Sequence, residues 1–483
     1  MRRPLRDLLR DMAIYGAGDI LLRAAALLTL PIYTRIFSPE QFGIFNVVQT
    51  VIGLAMALLL LGGDGTFARF FLAARDTNER QVIASTWLVF LASWSCLIIA
   101  ISLPFRGIFS QIAFATPAYA MLFSLALLSV PLSLLNSMCN QALRNMFRPR
   151  DFSLLNLAGS SLSIGFSLIA VIGLQLGLLG WLGGMLLAAG CMLPLRLWVI
   201  RDLLRPVFSF SHLKAMLGFG LPLVPYTIAS WIFAFSDRFV LTQLSTLEQV
   251  GLYAIATGVI GLLSFASGSV AQAWMPHATR MFEQRDPAAP ALFGQVLTYL
   301  LVAFGSIGVV LTTFAHEGLL LFTTAAYLPA VVAVGPLTLA VTAHVSMQVT
   351  GAPLNLLKRT HYYAILAWPA ALLNVGLNLW LIPHWGMLAA AWTTAAAYGF
   401  LTLAYLMVAQ RLWPIAYEIR RSLSAIGLLV VFTVGAPLLP DLDLGLRIGV
   451  KLGYCLLFAI LLIAAGVIDT REWQALRRLL PNR

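Results

Sequence analysis

The placement of arginine and lysine constrains this chain more than any other feature. Apolar stretches of about 20 residues or more follow one another along the sequence, the length at which a helix crosses the hydrocarbon core of a bilayer. About fourteen occur, from Met12–Phe37 and Gln41–Phe71 at one end to Leu423–Leu438 and Leu446–Ile468 at the other. The basic residues collect in every second interval between them. Arg2, Arg3, Arg6 and Arg10 precede the first stretch, and Arg69, Arg75 and Arg80 follow the second. The alternation continues through Arg144, Arg148 and Arg150, then Arg196, Arg201, Arg205 and Lys214, and ends with Arg471, Arg477, Arg478 and Arg483. These intervals hold 25 of the 31 Lys and Arg, whereas the intervening ones hold only Arg35, Arg106, Arg447 and Lys451. Lys and Arg favour cytoplasmic loops, so the pattern predicts an even number of spans with both termini cytoplasmic. An all-α integral membrane fold of about fourteen helices is expected.

Composition closes off other classes. The 483 residues are 60% hydrophobic and only 10% charged, too little charge to cover a soluble protein of this size. The net charge of +12 could suit nucleic acid. Its one-sided placement suits anionic lipid headgroups instead, so membrane lipids and not nucleic acid are the expected partners. Cys96, Cys139, Cys191 and Cys455 lie in separate apolar stretches, with neither metal nor disulfide spacing, and read as small buried hydrophobes. The run from Met12 to Phe37 is too long for a signal-peptide core and reads as a retained first span. No phosphate-binding loop, nucleophile elbow or His-Glu-x-x-His pattern occurs. Asp441-Leu442-Asp443 has the spacing of metal-dependent sugar transferases, but it follows Pro440 in a short loop and reads as solvated. No enzyme activity and no cofactor are expected, and any driving force must come from gradients or substrate flux.

The sequence repeats itself. Glu40-Gln41-Phe42-Gly43-Ile44-Phe45 matches Glu248-Gln249-Val250-Gly251-Leu252-Tyr253 at an offset of 208. Gly177-Leu178-Leu179-Gly180-Trp181 echoes Gly386-Met387-Leu388-Ala389-Ala390 at an offset of 209. A shared offset argues for two six-helix lobes, over 1–205 and 206–414, with two extra helices and a tail over 415–483. Six is even, so both copies enter from one side and their axis would follow the membrane normal. Ordinary capping chemistry at a Glu-Gln helix start is the alternative. Two lobes around a central site is a transporter plan. Gly62, Gly63 and Gly65 in the second span, and Pro222 and Pro225 in the seventh, are places where helices can bend.

Charges at bilayer depth cost roughly 2.5–3.5 kcal/mol on insertion scales unless they face water or a partner. Asp19 and Arg23 lie four residues apart in the first span, one helical turn. They can neutralise each other, or Arg23 can turn into an aqueous cavity and bind an anion with its bidentate fork. Asp237 and Arg238 occupy the seventh span; neighbours on a helix face apart, so each is expected to meet a different partner. Arg35 closes the first span and can snorkel or gate. Asp64 lies among the glycines of the second span, placed to titrate or to hold Arg69. His344 and His277 read as structural.

The stretch Leu30-Pro31-Ile32-Tyr33-Thr34-Arg35-Ile36-Phe37-Ser38-Pro39-Glu40-Gln41-Phe42-Gly43 resembles the first hairpin of polysaccharide-biosynthesis flippases. Those are the Wzx-like translocases of the multidrug/oligosaccharidyl-lipid/polysaccharide exporter superfamily. Gly220-Leu221-Pro222-Leu223 with Asp237-Arg238, Gln272-Ala273-Trp274-Met275-Pro276, and Asn374 to Asn378 with Ile382-Pro383 and Gly386 are similar to later helices of that family. The likeness reaches to about residue 410, and the last two helices match only in being apolar. It implies a flippase that turns an undecaprenyl-diphosphate-linked glycan (an O-antigen, capsule or exopolysaccharide unit) across a bacterial inner membrane by alternating access. Polysaccharide polymerase and export proteins would be its partners. Arg23, Arg238 and Arg35 would contact the diphosphate or glycan, and Asp19, Asp64 and Asp237 would pair with them or titrate. A drug/cation antiporter and a lipid II flippase of the same superfamily are the alternatives.

Overall fold

The protein is described by a computed structural model covering residues 29–440 and 442–468. Among these residues there is no strand, and helices account for nearly the whole chain. In order they are α1 (29–36), α2 (Pro39–Leu59), α3 (Gly63–Ala73), α4 (Thr77–Ser102), α5 (Arg106–Phe114), α6 (Ala120–Asn145), α7 (Pro149–Leu168), α8 (Gly177–Val199), α9 (Phe210–Gly220) and α10 (Val224–Leu244). Then follow α11 (Leu247–Glu283), α12 (Ala289–Thr313), α13 (Ala315–Phe322), α14 (Val331–Thr350), α15 (Ala352–Leu356), α16 (His361–Leu412), α17 (Ile419–Gly435) and α18 (Leu444–Ala464). Eleven helical stretches among the described residues are long and apolar enough to cross a membrane. The stretch α16 holds two of the expected spans, separated by a kink at Gly386, whose φ 54° and ψ −131° are not helical. The chain divides into two compact units, the first ending at Gln243 and the second beginning at Leu244.

Local chemistry sets the helix starts in the first unit. Ser38 caps α2 with its side chain accepting the Gln41 backbone N–H at 3.3 Å. Gln41 returns the bond by accepting the Ser38 N–H at 3.1 Å, and Pro39 occupies the first helical position. The second copy of this sequence caps differently. Thr246 accepts the Gln249 N–H at 3.2 Å, while the Gln249 side chain accepts the Met387 N–H at 2.8 Å beside the Gly386 kink. Part of the sequence echo is therefore capping chemistry, and part is a tie specific to the second unit.

The expected second and seventh spans are both broken. Gly62, at φ +70°, separates α2 from α3, a conformation that costs a side-chain-bearing residue about 1–2 kcal/mol. A 3-10 turn at Leu221–Leu223, carrying Pro222, separates α9 from α10. The two breaks pack on each other: a Cβ built on Gly62 would stand 2.5 Å from the Gly220 carbonyl oxygen, and one on Gly220 2.5 Å from that of Leu61. Only glycine permits this approach.

Helices α7 and α8 meet through Gly180 and Gly184, a small-xxx-small pair. A Cβ on Gly180 would lie 2.9 Å from the Ala170 carbonyl, and one on Gly184 would collide with the Ser167 backbone. Two short helices, α5 and α13, replace what reads in the sequence as loop. A core around Phe67, Phe71, Trp87, Leu91, Met138 and Leu143 fills one end of the first unit. In the second unit Phe293, Leu297, Phe432, Phe458 and Leu462 belong to a comparable core. Exposed leucines and isoleucines such as Leu97, Ile101, Leu187 and Leu456 remain outside, as expected of surfaces solvated by lipid.

Candidate functional site

Asp237 and Arg238 lie together in α10 and do pair, contrary to the expectation that helix neighbours face apart. Arg238 Nη1 stands 3.1 Å from Asp237 Oδ1, and the same oxygen accepts the Arg238 backbone N–H at 2.8 Å. The reason is side-chain length. The short aspartate curls onto its own helix backbone, and the long arginine folds back to reach it. Arg238 also donates through Nε to Asn46 Oδ1 of α2 at 2.9 Å and through Nη1 to the Ala234 carbonyl at 3.2 Å, and lies 5.1 Å from the centre of the Phe235 ring. Asp237 is 4% exposed.

The other expected site residues do not join this pair among the described residues. Arg35 is exposed near the end of α1. Asp64 occupies the first turn of α3, directly after the Gly62 break, and its side chain lies outside the described part. Asp19 and Arg23 lie outside the described residues. Arg69, which Asp64 was placed either to hold or to leave while it titrated, stands over the Phe219 ring at 4.3 Å.

A second polar centre was not anticipated. Helices α1, α2, α6, α7 and α8 enclose a cavity of about 620 Å³ within the first unit. Its walls are helix faces. Phe42, Phe45, Gln49 and Ile52 of α2 face it, as do Ser129, Ser133 and Asn136 of α6, Asn156, Ser160, Ser163 and Ser167 of α7, and Met185, Ala189, Met192 and Arg196 of α8. Each set recurs every three or four residues, so each forms one stripe. Asn46, four residues after Phe42, and Gly53, four after Gln49, border the same stripe of α2; Asn46 meets Arg238 and Gly53 approaches Trp231.

Arg196 anchors the polar end of this cavity. It is 5% exposed and hydrogen-bonds only neutral oxygens. Nη1 donates to Asn140 Oδ1 and to the Asn136 carbonyl at 3.4 Å. Nη2 donates to Asn156 Oδ1 at 3.0 Å and to the Leu155 carbonyl at 3.3 Å, and Asn140 Nδ2 donates to Asn156 Oδ1 at 3.0 Å. The other end is aromatic. Trp181 stacks on Phe45 with ring centres 3.5 Å apart and on Tyr33 at 4.1 Å. The sequence carried a signal for this centre in the serine and asparagine stripes on otherwise apolar helices. Arg196 itself was assigned to a cytoplasmic loop because it lies near the end of its span.

The second unit holds a buried amide network in which Asn378 Nδ2 donates to Asn374 Oδ1 at 3.0 Å and Thr393 donates to Asn378 Oδ1. His344 meets Tyr398 edge to face, ring centres 5.2 Å apart. Lys451 of α18 binds both oxygens of Glu317 in α13 at 2.8 and 2.7 Å, and Arg447 Nε stands 3.3 Å from Glu317 Oε1. Among the described residues no group of His, Cys, Asp and Glu could hold a metal ion.

A sequence profile for a family described as polysaccharide biosynthesis protein matches residues 8–282, more than half of the chain. No curated protein matches. Among solved structures, "Lipid II flippase MurJ, inward closed conformation" is similar with a TM-score of 0.74 and 15% identity, covering 92% of this chain and 98% of that one. An inward-facing multidrug resistance MATE family transporter of the MOP superfamily is similar with a TM-score of 0.64 and 18% identity, covering 80% and 94%. A MOP superfamily transporter from Pyrococcus furiosus, whose binding pocket is described as of reverse polarity, has a TM-score of 0.57 and 17% identity, covering 84% and 94%. At these identities the likeness is one of fold.

Proposed function

The chain belongs to the polysaccharide biosynthesis protein family, and on that premise we propose that it is a flippase for an undecaprenyl-diphosphate-linked oligosaccharide. It carries an O-antigen, capsule or exopolysaccharide unit from the cytoplasmic to the outer leaflet of a bacterial inner membrane by alternating access, with both termini cytoplasmic. The family match is the observation that carries this reading. A fold shared with a lipid II flippase over 98% of that structure supports it, because both cargoes would be glycans on polyprenyl diphosphates. The family match favours this cargo over lipid II itself, and over the drugs of an antiporter.

The chain would consist of two six-helix lobes, 1–205 and 206–414, with a two-helix addition over 415–483. The repeat gains support from the short helices. Arg106–Phe114 and Ala315–Phe322 recur at the sequence offset, and each is followed by Thr-x-Ala-Tyr, at Thr116–Tyr119 and Thr324–Tyr327. Gly177 and Gly386 both adopt φ +54° and sit one offset apart. Arg23, Arg238 and Arg35 would meet the diphosphate or glycan, since arginine stays charged and offers a fork to phosphate. Asp19, Asp64 and Asp237 would balance these cations or titrate. Polymerase and export proteins would take over the translocated unit.

Deletion of the gene in its host tests this. One lipid-linked oligosaccharide should accumulate while one surface glycan disappears. A plasmid copy should restore both, and a copy carrying Arg23→Ala with Arg238→Ala should insert in the membrane but restore neither. Intact surface glycans with raised drug sensitivity would replace the flippase with the antiporter.

A further inference from the structure

Among the described residues lining it, the cavity inside the first unit carries one guanidinium, that of Arg196, and no carboxylate. Arg196 is buried to 5% exposure, its Nε has no hydrogen-bond partner, and its remaining N–H groups meet neutral oxygens. A buried guanidinium without a counter-charge is costly, and an entering anion would relieve that cost. The volume, about 620 Å³, falls in the range of small-molecule sites and is far more than a single halide fills. The rest of the lining suits a hydroxylated ring. Serine hydroxyls and asparagine amides stand along α6 and α7, and an aromatic wall of Tyr33, Phe45 and Trp181 closes the far end.

We infer that this cavity receives a carboxylate-bearing sugar residue of the translocated glycan, with Arg196 binding its carboxylate. One guanidinium balances one carboxylate, whereas a diphosphate brings more negative charge than Arg196 alone neutralises. The amide oxygens of Asn140 and Asn156 now stand where the carboxylate oxygens would bind. A carboxylate supplies the counter-charge that these neutral oxygens lack and can take both N–H groups of the fork, so it displaces them. Asn156, Ser160 and Ser163 face the same space and can bond the sugar hydroxyls. This deepens the flippase reading and rests on it for the source of the sugar. The cavity itself is testable without transport.

Saturation-transfer NMR on the full-length purified protein, with sodium glucuronate, glucose and sodium chloride as probes, decides the matter. Glucuronate should bind saturably, and glucose at least about tenfold more weakly, the factor expected of one charge-assisted hydrogen bond. Arg196→Gln should remove that preference. Because Arg196 bridges α6, α7 and α8, this variant could fail to fold, so Ser163→Leu provides the second arm. It leaves the guanidinium in place, narrows the cavity, and should weaken glucuronate binding. Three results would overturn the inference: no glucuronate binding to the wild type, undiminished binding to both variants, or displacement of glucuronate by equimolar chloride. A host deletion strain with normal surface glycans would defeat the flippase reading and leave the binding result standing.

Discussion

At Asp237 and Arg238, neighbouring side chains share one charge balance inside an apolar helix. Removing the arginine alone breaks a buried ion pair, which costs about 3–5 kcal/mol. Arg238→Ala is therefore expected to lower the melting temperature of the purified protein sharply. Asp237→Asn with Arg238→Gln, which removes both charges, should recover most of the loss. If the double variant melts as low as the single one, the pair is not what stabilises this position. The identity of both residues was legible in the sequence, because charges at bilayer depth need a reason. Their pairing was not, because it depends on rotamers that fold back along one helix.

Glu317 gives a second prediction at this scale. Burial pushes its pKa up, but the hydrogen bond from Lys451 and the charges of Lys451 and Arg447 outweigh burial and hold it below the usual glutamate value. A depressed folded-state pKa adds stability that is fully present above the unfolded value and is lost as pH falls through the folded one. Acidification into that window should loosen α18 from α13, read as faster hydrogen exchange in α18. Glu317→Gln should loosen it at neutral pH and flatten the pH response.

Among the helices, the breaks at Gly62 and Pro222 matter most. Sequence glycines and prolines marked both places as possible bends, yet not that the bends would touch. That contact depends on chain segments about 158 residues apart, Gly62 and Gly220, and no local pattern records it. Gly62→Ala adds a positive-φ penalty of about 1 kcal/mol to a steric overlap, and Gly220→Ala adds overlap alone. Both should lower thermal stability, with Gly62→Ala the more damaging. Equal tolerance of alanine at both positions would show that the helices can separate there at little cost. The short helices α5 and α13 escaped the sequence reading for a related reason: eight or nine residues are too few for a periodic signal to stand out from a loop. The lobe cavity was half legible. Its serine and asparagine stripes were present on apolar helices, but the positive-inside pattern drew Arg196 into a loop.

For the whole molecule, the alternation of basic residues announced a polytopic helical protein, and the family match and fold agree with it. The direction of the inference matters, because a fold shared with both a lipid II flippase and a MATE transporter does not choose a cargo. The choice rests on the family and on cations offered to an anionic cargo.

The decisive measurement is translocation in a defined bilayer. The lipid-linked glycan that accumulates in the deletion strain would be reconstituted with the purified protein in vesicles and exposed to an impermeant glycan-cleaving enzyme outside. The account predicts that protein-containing vesicles yield inner-leaflet glycan to the enzyme over time, and that Arg23→Ala with Arg238→Ala vesicles do not. Cleavage that stops at the outer-leaflet fraction, as in protein-free vesicles, would contradict it.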